Sequence, residues 1–242
     1  MTEHHRGPHP EDGALFAAAL WPMLGEASDD LAWLLGRGYG MAAALGLVGN
    51  RFQLADRQRT ALMRSVCTAS ARAARAARHL SPAAARGATL WLDGFNVIMT
   101  VEAALAGGTL LRGRDGCIRN LAPMHTSYRK VVETEAALGH IGKVLSDLGV
   151  TDARWLLDRP VSNSGRLRAL MLDVAAAAGW SWDVELAPHV DYTLKTVAPP
   201  GVVATTDSVI LDACGPWLDV ARLTIAAAVP DAPIIAAFGD GA

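Results

Sequence analysis

The sequence predicts an α/β domain built on a parallel sheet and preceded by an all-α helical module, and three observations carry that expectation. Residues 1–82 hold helix-period segments without an alternating strand pattern. From residue 86 to 242, short apolar runs alternate with amphipathic ones, the order of elements that builds a parallel sheet. Three of those runs end directly on an aspartate: Ala88-Thr-Leu-Trp-Leu-Asp93, Ala153-Arg-Trp-Leu-Leu-Asp158 and Val202-Val-Ala-Thr-Thr-Asp207.

Along the chain, residues 1–12 are polar and expected to be disordered. Helices are expected over 13–24, over 29–35 behind a Ser28 cap, over 41–48, and over a long stretch of 57–80 that begins after the capping candidate Asp56 and stops at Ser81-Pro82. Strands are expected at 88–93, 153–158, 182–187, 201–206 and 233–238. Helices at about 95–106, 133–148, 164–178 and 216–228 separate them. The stretch 110–132 fits neither period and is expected to be a functional loop or irregular insertion.

With 51% hydrophobic residues over 242, the chain can bury a full core. Twenty-two Lys and Arg balance 24 acids, so no global basic field points to nucleic acid. Cys67, Cys117 and Cys214 are odd in number and widely spaced, which argues against a disulfide framework and a zinc site. No apolar run approaches the ~20 residues that span a bilayer. A cytoplasmic protein without membrane contact is expected, with homo-oligomerisation left open.

In an open parallel sheet the carboxyl ends of the strands share one edge, so Asp93, Asp158 and Asp207 should converge there. Converging carboxylates repel unless a cation lies between them, and an all-oxygen site suits Mg²⁺ or Mn²⁺. Asp212, five residues beyond Asp207, is placed to assist, as is Glu135 at the start of the helix before the second strand; both Glu133 and Glu135 would also complement that helix's dipole. His125, His140 and His189 show no Ser/His/Asp pattern.

Two basic features accompany the acids. At 100° per residue, Arg57, Arg64, Arg72, Arg75 and Arg78 fall in an arc of roughly 120°, a stripe that suits phosphates or, equally, solvent. The segment from Leu111 to Lys130 carries Arg112, Arg114, Arg119, Arg129 and Lys130 against the single acid Asp115. Such a loop could hold phosphates beside a metal site, or form an ion-pair network that anchors itself. Ser162, Asn163 and Ser164 precede a helix whose amino terminus favours an anion, flanked by Arg159 and Arg166. An ordinary helix cap explains part of that motif, and no Walker Gly-Lys-Ser/Thr ending is present.

Asp93-Gly-Phe-Asn-Val resembles the first-strand signature of the PIN-like and NYN ribonuclease superfamily, and Asp158-Arg-Pro and Thr206-Asp-Ser resemble its later acidic strand ends. The whole chain also resembles an uncharacterised bacterial and archaeal two-domain family with Arg37-Gly-Tyr and Leu47-Val-Gly-Asn-Arg in its helical part. The first resemblance implies a Rossmann-like sheet and metal-dependent nuclease activity, with one helix glutamate that Glu102, Glu133 and Glu135 are all eligible to supply. The chain is thus expected to cleave phosphodiesters, with RNA as the partner: Asp93, Asp158 and Asp207 hold one or two Mg²⁺ or Mn²⁺ ions, helped by Asp212 or Glu135. Asn96, Thr206 and Ser208 orient metal-bound water. Arg112, Arg114, Arg119, Arg159 and Arg166, with Arg64 and Arg75 of the stripe, grip phosphates. The alternatives are a non-catalytic nucleic-acid-binding protein and a hydrolase of a small phosphorylated metabolite.

Overall fold

The computed structural model describes residues 4–122 and 127–239. His125 lies outside them. The helical part runs through α1 (Asp12–Leu15), a 3-10 turn at Ala18–Leu20, α2 (Trp21–Gly36), α3 (Met41–Arg51), α4 (Asp56–Ser65) and α5 (Ala69–Arg78). There follow β1 (Thr89–Asp93), α6 (Gly94–Leu105), β2 (Leu110–Arg112), β3 (Ile118–Asn120), α7 (Thr134–Asp147), β4 (Asp152–Asp158), α8 (Ser164–Ala178) and β5 (Trp182–Ala187). The chain closes with α9 (Val190–Lys195), β6 (Val202–Ala204), α10 (Ser208–Leu211), β7 (Trp217–Leu218), α11 (Val220–Ala228) and β8 (Ile234–Ile235). Among the described residues no helix is long and apolar enough to cross a membrane.

The α/β expectation holds. Strands β5-β4-β1-β6-β7 form a five-stranded sheet in which every pairing is parallel. Leu90, Leu92, Trp155 and Leu157 are wholly buried in its main core, with Ile98 of α6 and Leu138 and Ile141 of α7. Helix α6 starts close against β4, and the sequence shows why. A Cβ on Gly94 would sit 2.6 Å from Leu157 Cδ2 and 2.9 Å from the Leu156 carbonyl, so only glycine allows this turn directly after Asp93.

Several local expectations are corrected. Residues 4–12 are ordered: Arg6 pairs with the buried Glu102, and Asp12 is buried against Arg57 and Thr109. Ser28 lies inside α2 and caps nothing; its hydroxyl donates to the Phe238 carbonyl at 2.9 Å. The long helix over 57–80 is two helices, because Val66 turns extended and Thr68 accepts the Ala71 N–H at 3.1 Å to start α5. Asp56 is the first residue of α4, whose amino end is closed by Gln58 accepting from Ala55 N–H at 3.0 Å.

The stretch over 110–132 contains a β-hairpin, β2 with β3, which β8 extends into a separate three-stranded sheet. Leu110 and Ile118 enter the main core, whereas Leu111 and Leu121 enter the helical core with Ala237 and Phe238. The hairpin therefore joins the two parts, and 233–238 does not extend the five-stranded sheet. Gly116, at φ +80°, makes its tight turn.

The expected helix over 216–228 begins only at Val220, because Trp217 and Leu218 pair with β6 and Asp219 caps α11. Asp219 is 1% exposed and accepts from Arg222 N–H at 2.8 Å and Ile118 N–H at 3.2 Å. Burial pushes its carboxyl up to about 6, the two N–H groups opposing it. A carboxyl raised in the folded state contributes stability in its protonated form, which is lost as pH rises toward that value. Between about pH 4 and 6, the Asp219→Asn variant should therefore show a flatter dependence of unfolding free energy on pH than the parent, measured by urea denaturation. Parallel slopes would mean that Asp219 stays ionised.

Candidate functional site

Strand register sets the site. Asp93 pairs with Leu156, so Asp158 lies two residues further toward the carboxyl edge, about 6.6 Å along the strand direction. Asp207 follows β6 by three residues, at the start of α10. Asp93 is 8% exposed, and the Thr205 hydroxyl donates to its Oδ2 at 2.8 Å. Burial pushes its carboxyl up to about 7; the Thr205 hydrogen bond opposes this, and the charges of Asp207 and Asp158 add to it. Asp158 is also raised, by burial and then by Asp191. Asp93 thus feels both of the other acids across the sheet edge.

Short hydrogen bonds fix the loop between them. Thr205 Oγ1 accepts from Asp207 N–H at 3.0 Å, and Asn96 Oδ1 accepts from the N–H and hydroxyl of Thr206 at 2.9 and 3.1 Å. Asp207 spends Oδ1 on the N–H groups of Val209 and Ile210, at 2.7 and 3.2 Å, as the cap of α10. Among the described residues no three carboxylate, imidazole or thiol side chains are gathered as a ready metal cage.

Most of the basic residues face protein instead. Arg75 is 2% exposed and donates to Asp115 at 2.5 Å, to Asp212 at 2.8 Å and to the Ser208 carbonyl at 3.3 Å. Arg119 grips both oxygens of Asp115, at 2.9 and 2.7 Å, donates to the Thr206 carbonyl at 2.8 Å and reaches Ser208 Oγ at 3.4 Å. Burial pushes Asp115 up, but Arg119 and then Arg75 more than reverse this and hold it well below the ordinary carboxylate range. Arg75, Arg119 and Asp212 are therefore an interface network. Buried against Asp115, Arg75 and Arg119 are not open to phosphate, whereas Asp212 is half exposed and engages Arg75 through Oδ1.

Three more arginines of the stripe, Arg57, Arg64 and Arg78, are docked in the same way. Arg57 pairs with Asp12, Arg64 donates to the carbonyls of Asn120 and Ala122 at 2.7 and 2.9 Å, and Arg78 donates to those of Cys214 and Leu211. Arg114 pairs with Asp29, and Arg159 donates to the Leu186 carbonyl at 2.9 Å. Glu135 is exposed and paired with Lys130, Glu133 bonds His5, and Glu102 is buried with Arg6, Tyr128 and Thr134. Asn163, in a left-handed conformation at φ 69°, makes no side-chain cap and donates to the Tyr128 carbonyl at 3.0 Å. Ser164 is buried and Ser162 exposed. Arg112 and Arg166 are exposed without a partner among the described residues, so they remain available.

Residues 82–223 match the family described as domain of unknown function DUF5616, a span of more than half the chain. The chain belongs to that family. Residues 23–78 match a second family, described as protein of unknown function DUF434. A protein of Methanocaldococcus jannaschii, described as uncharacterised, is 26% identical over 186 residues, covering 77% of this chain and 88% of the relative. No solved structure matches. The family's description carries no chemistry.

Two groups escaped the sequence reading. Thr205, 1% exposed, is the direct partner of Asp93, and its signal was present in the hydroxyl pair before Asp207. Asp191, which raises Asp158, sits on the six-residue α9, too short for any periodicity to announce.

Proposed function

We propose that this chain is a metal-dependent phosphodiesterase of PIN-like fold that acts on RNA at the carboxyl edge of its sheet. The observation that carries this reading is a contrast between acids. Asp12 and Asp115 are each matched by arginine, whereas Asp93, Asp158 and Asp207 have no cationic partner among the described residues. Leaving a buried carboxylate uncompensated costs several kcal/mol unless it is protonated or a cation arrives.

The groups present fit a hard divalent ion. Asp93, Asp158 and the free oxygen of Asp207 would hold it, all as oxygen donors. Bound there, Mg²⁺ or Mn²⁺ would lower the pKa of an attacking water and stabilise charge developing on phosphorus. Thr205 and Asn96 hold Asp93 and the Thr206–Asp207 loop in place, and Arg119 and Arg75 clamp the carbonyls on either side of Asp207. Arg112 and Arg166 are the remaining candidates to meet phosphates. The runner-up is a non-catalytic nucleic-acid-binding protein, and experiment separates the two.

Millimolar Mn²⁺ should raise the melting temperature, since an ion that binds only the native state stabilises it by RT ln(1 + [L]/Kd). The Asp93→Asn/Asp207→Asn variant should melt above wild type without metal and lose the response, because asparagine keeps acceptors for Thr205 and for α10 while removing repulsion. A wild type indifferent to millimolar Mn²⁺ would sink the metal reading.

A further inference from the structure

Tyr192 is the most exposed large hydrophobic residue described, at 70%. It stands on α9, whose Val190 and Leu194 are buried under the sheet edge with Ile210 and Leu211 of α10. Its ring meets no other ring and its hydroxyl has no hydrogen-bond partner among the described residues. Folding therefore does not account for the exposed ring. Tyr192 lines a cleft together with Asp158, Pro188, His189, Asp191 and Lys195. Helix α10, packed against α9, begins at the Asp207 cap and exposes Val209 at 60%. Exposed apolar side chains thus stand on two short helices beside the acids, Tyr192 on α9 after β5 and Val209 on α10 after Asp207.

We propose that Tyr192 is the stacking platform for a nucleobase of a single-stranded substrate, with Lys195 meeting a neighbouring phosphate. This rests on the phosphodiesterase reading and adds the strandedness of the substrate. An open aromatic face takes an unstacked base, which a duplex does not offer. Lys195 carries no ion pair among the described residues, so its ammonium is free for phosphate. A protein partner fits less well, because two separate apolar side chains among charged ones fall far short of the roughly 1,200 Å² of a stable interface.

The test is equilibrium binding of a fluorescent oligouridylate to the full-length Asp93→Asn chain, with and without Tyr192→Ala or Tyr192→Phe, and cleavage by wild type in parallel. Tyr192→Ala should weaken binding by about 5- to 150-fold, the equivalent of one base stacked on an aromatic ring. Tyr192→Phe should bind like its parent, and a fully abasic strand should not distinguish the three. Equal affinity of the alanine variant and its parent would overturn the platform while leaving the phosphodiesterase reading intact, provided wild type still cleaves. An equal loss on the abasic strand would also overturn it. No binding and no cleavage by any chain would remove both readings. Self-association abolished by Tyr192→Ala would assign the ring to a second copy instead.

Discussion

Replacing Asp115 by alanine is expected to destabilise the fold by about 3–5 kcal/mol, the cost of leaving buried cations uncompensated. Arg75 and Arg119 are 2% and 7% exposed, and Asp115 is their shared counterion. The carboxylate links α5 to the hairpin, and through both arginines to the carbonyls of Thr206 and Ser208. Its loss should therefore loosen the Asp207 loop as well. The sign with pH is opposite to that of Asp219. A carboxyl held below its ordinary 3.8 contributes stability that is present above that value and lost as pH falls through the folded one. Urea denaturation at neutral pH reads the effect; a loss below about 1 kcal/mol would class the network with solvated surface pairs.

The acids were legible because each ends an apolar run, and a parallel sheet brings such ends to one edge whatever the rest of the chain does. The destinations of the arginines were not. A helical projection tells which way Arg75 points but not that Asp115, 40 residues on, waits opposite. The hairpin was hidden because Leu110 and Leu111 serve different cores, so neither face of β2 reads as polar. The break at Thr68 left a signal, a threonine with helix formers after it, which the absence of Gly and Pro outweighed.

Asp93→Asn, Asp158→Asn and Asp207→Asn should each slow RNA cleavage by at least about a hundredfold, with little change in RNA affinity. Carboxylates that position metal act mainly on the transition state, so their removal lowers turnover more than ground-state binding. Asp93→Asn should show the largest loss, since its oxygens lie deepest and between the other two strand ends. Arg112→Gln and Arg166→Gln should do the reverse and chiefly weaken binding, because exposed arginines meet ground state and transition state alike.

The most direct test is the rate at which purified wild type and Asp93→Asn cut end-labelled single-stranded RNA, in Mn²⁺ and again in excess chelator. Cleavage by wild type in Mn²⁺, abolished by chelator and reduced at least about a hundredfold by Asp93→Asn, is the predicted result. Cleavage unchanged by chelator or by the substitution would contradict a metal-dependent site at the sheet edge, and tight RNA binding without cleavage in any metal would make this a binding protein.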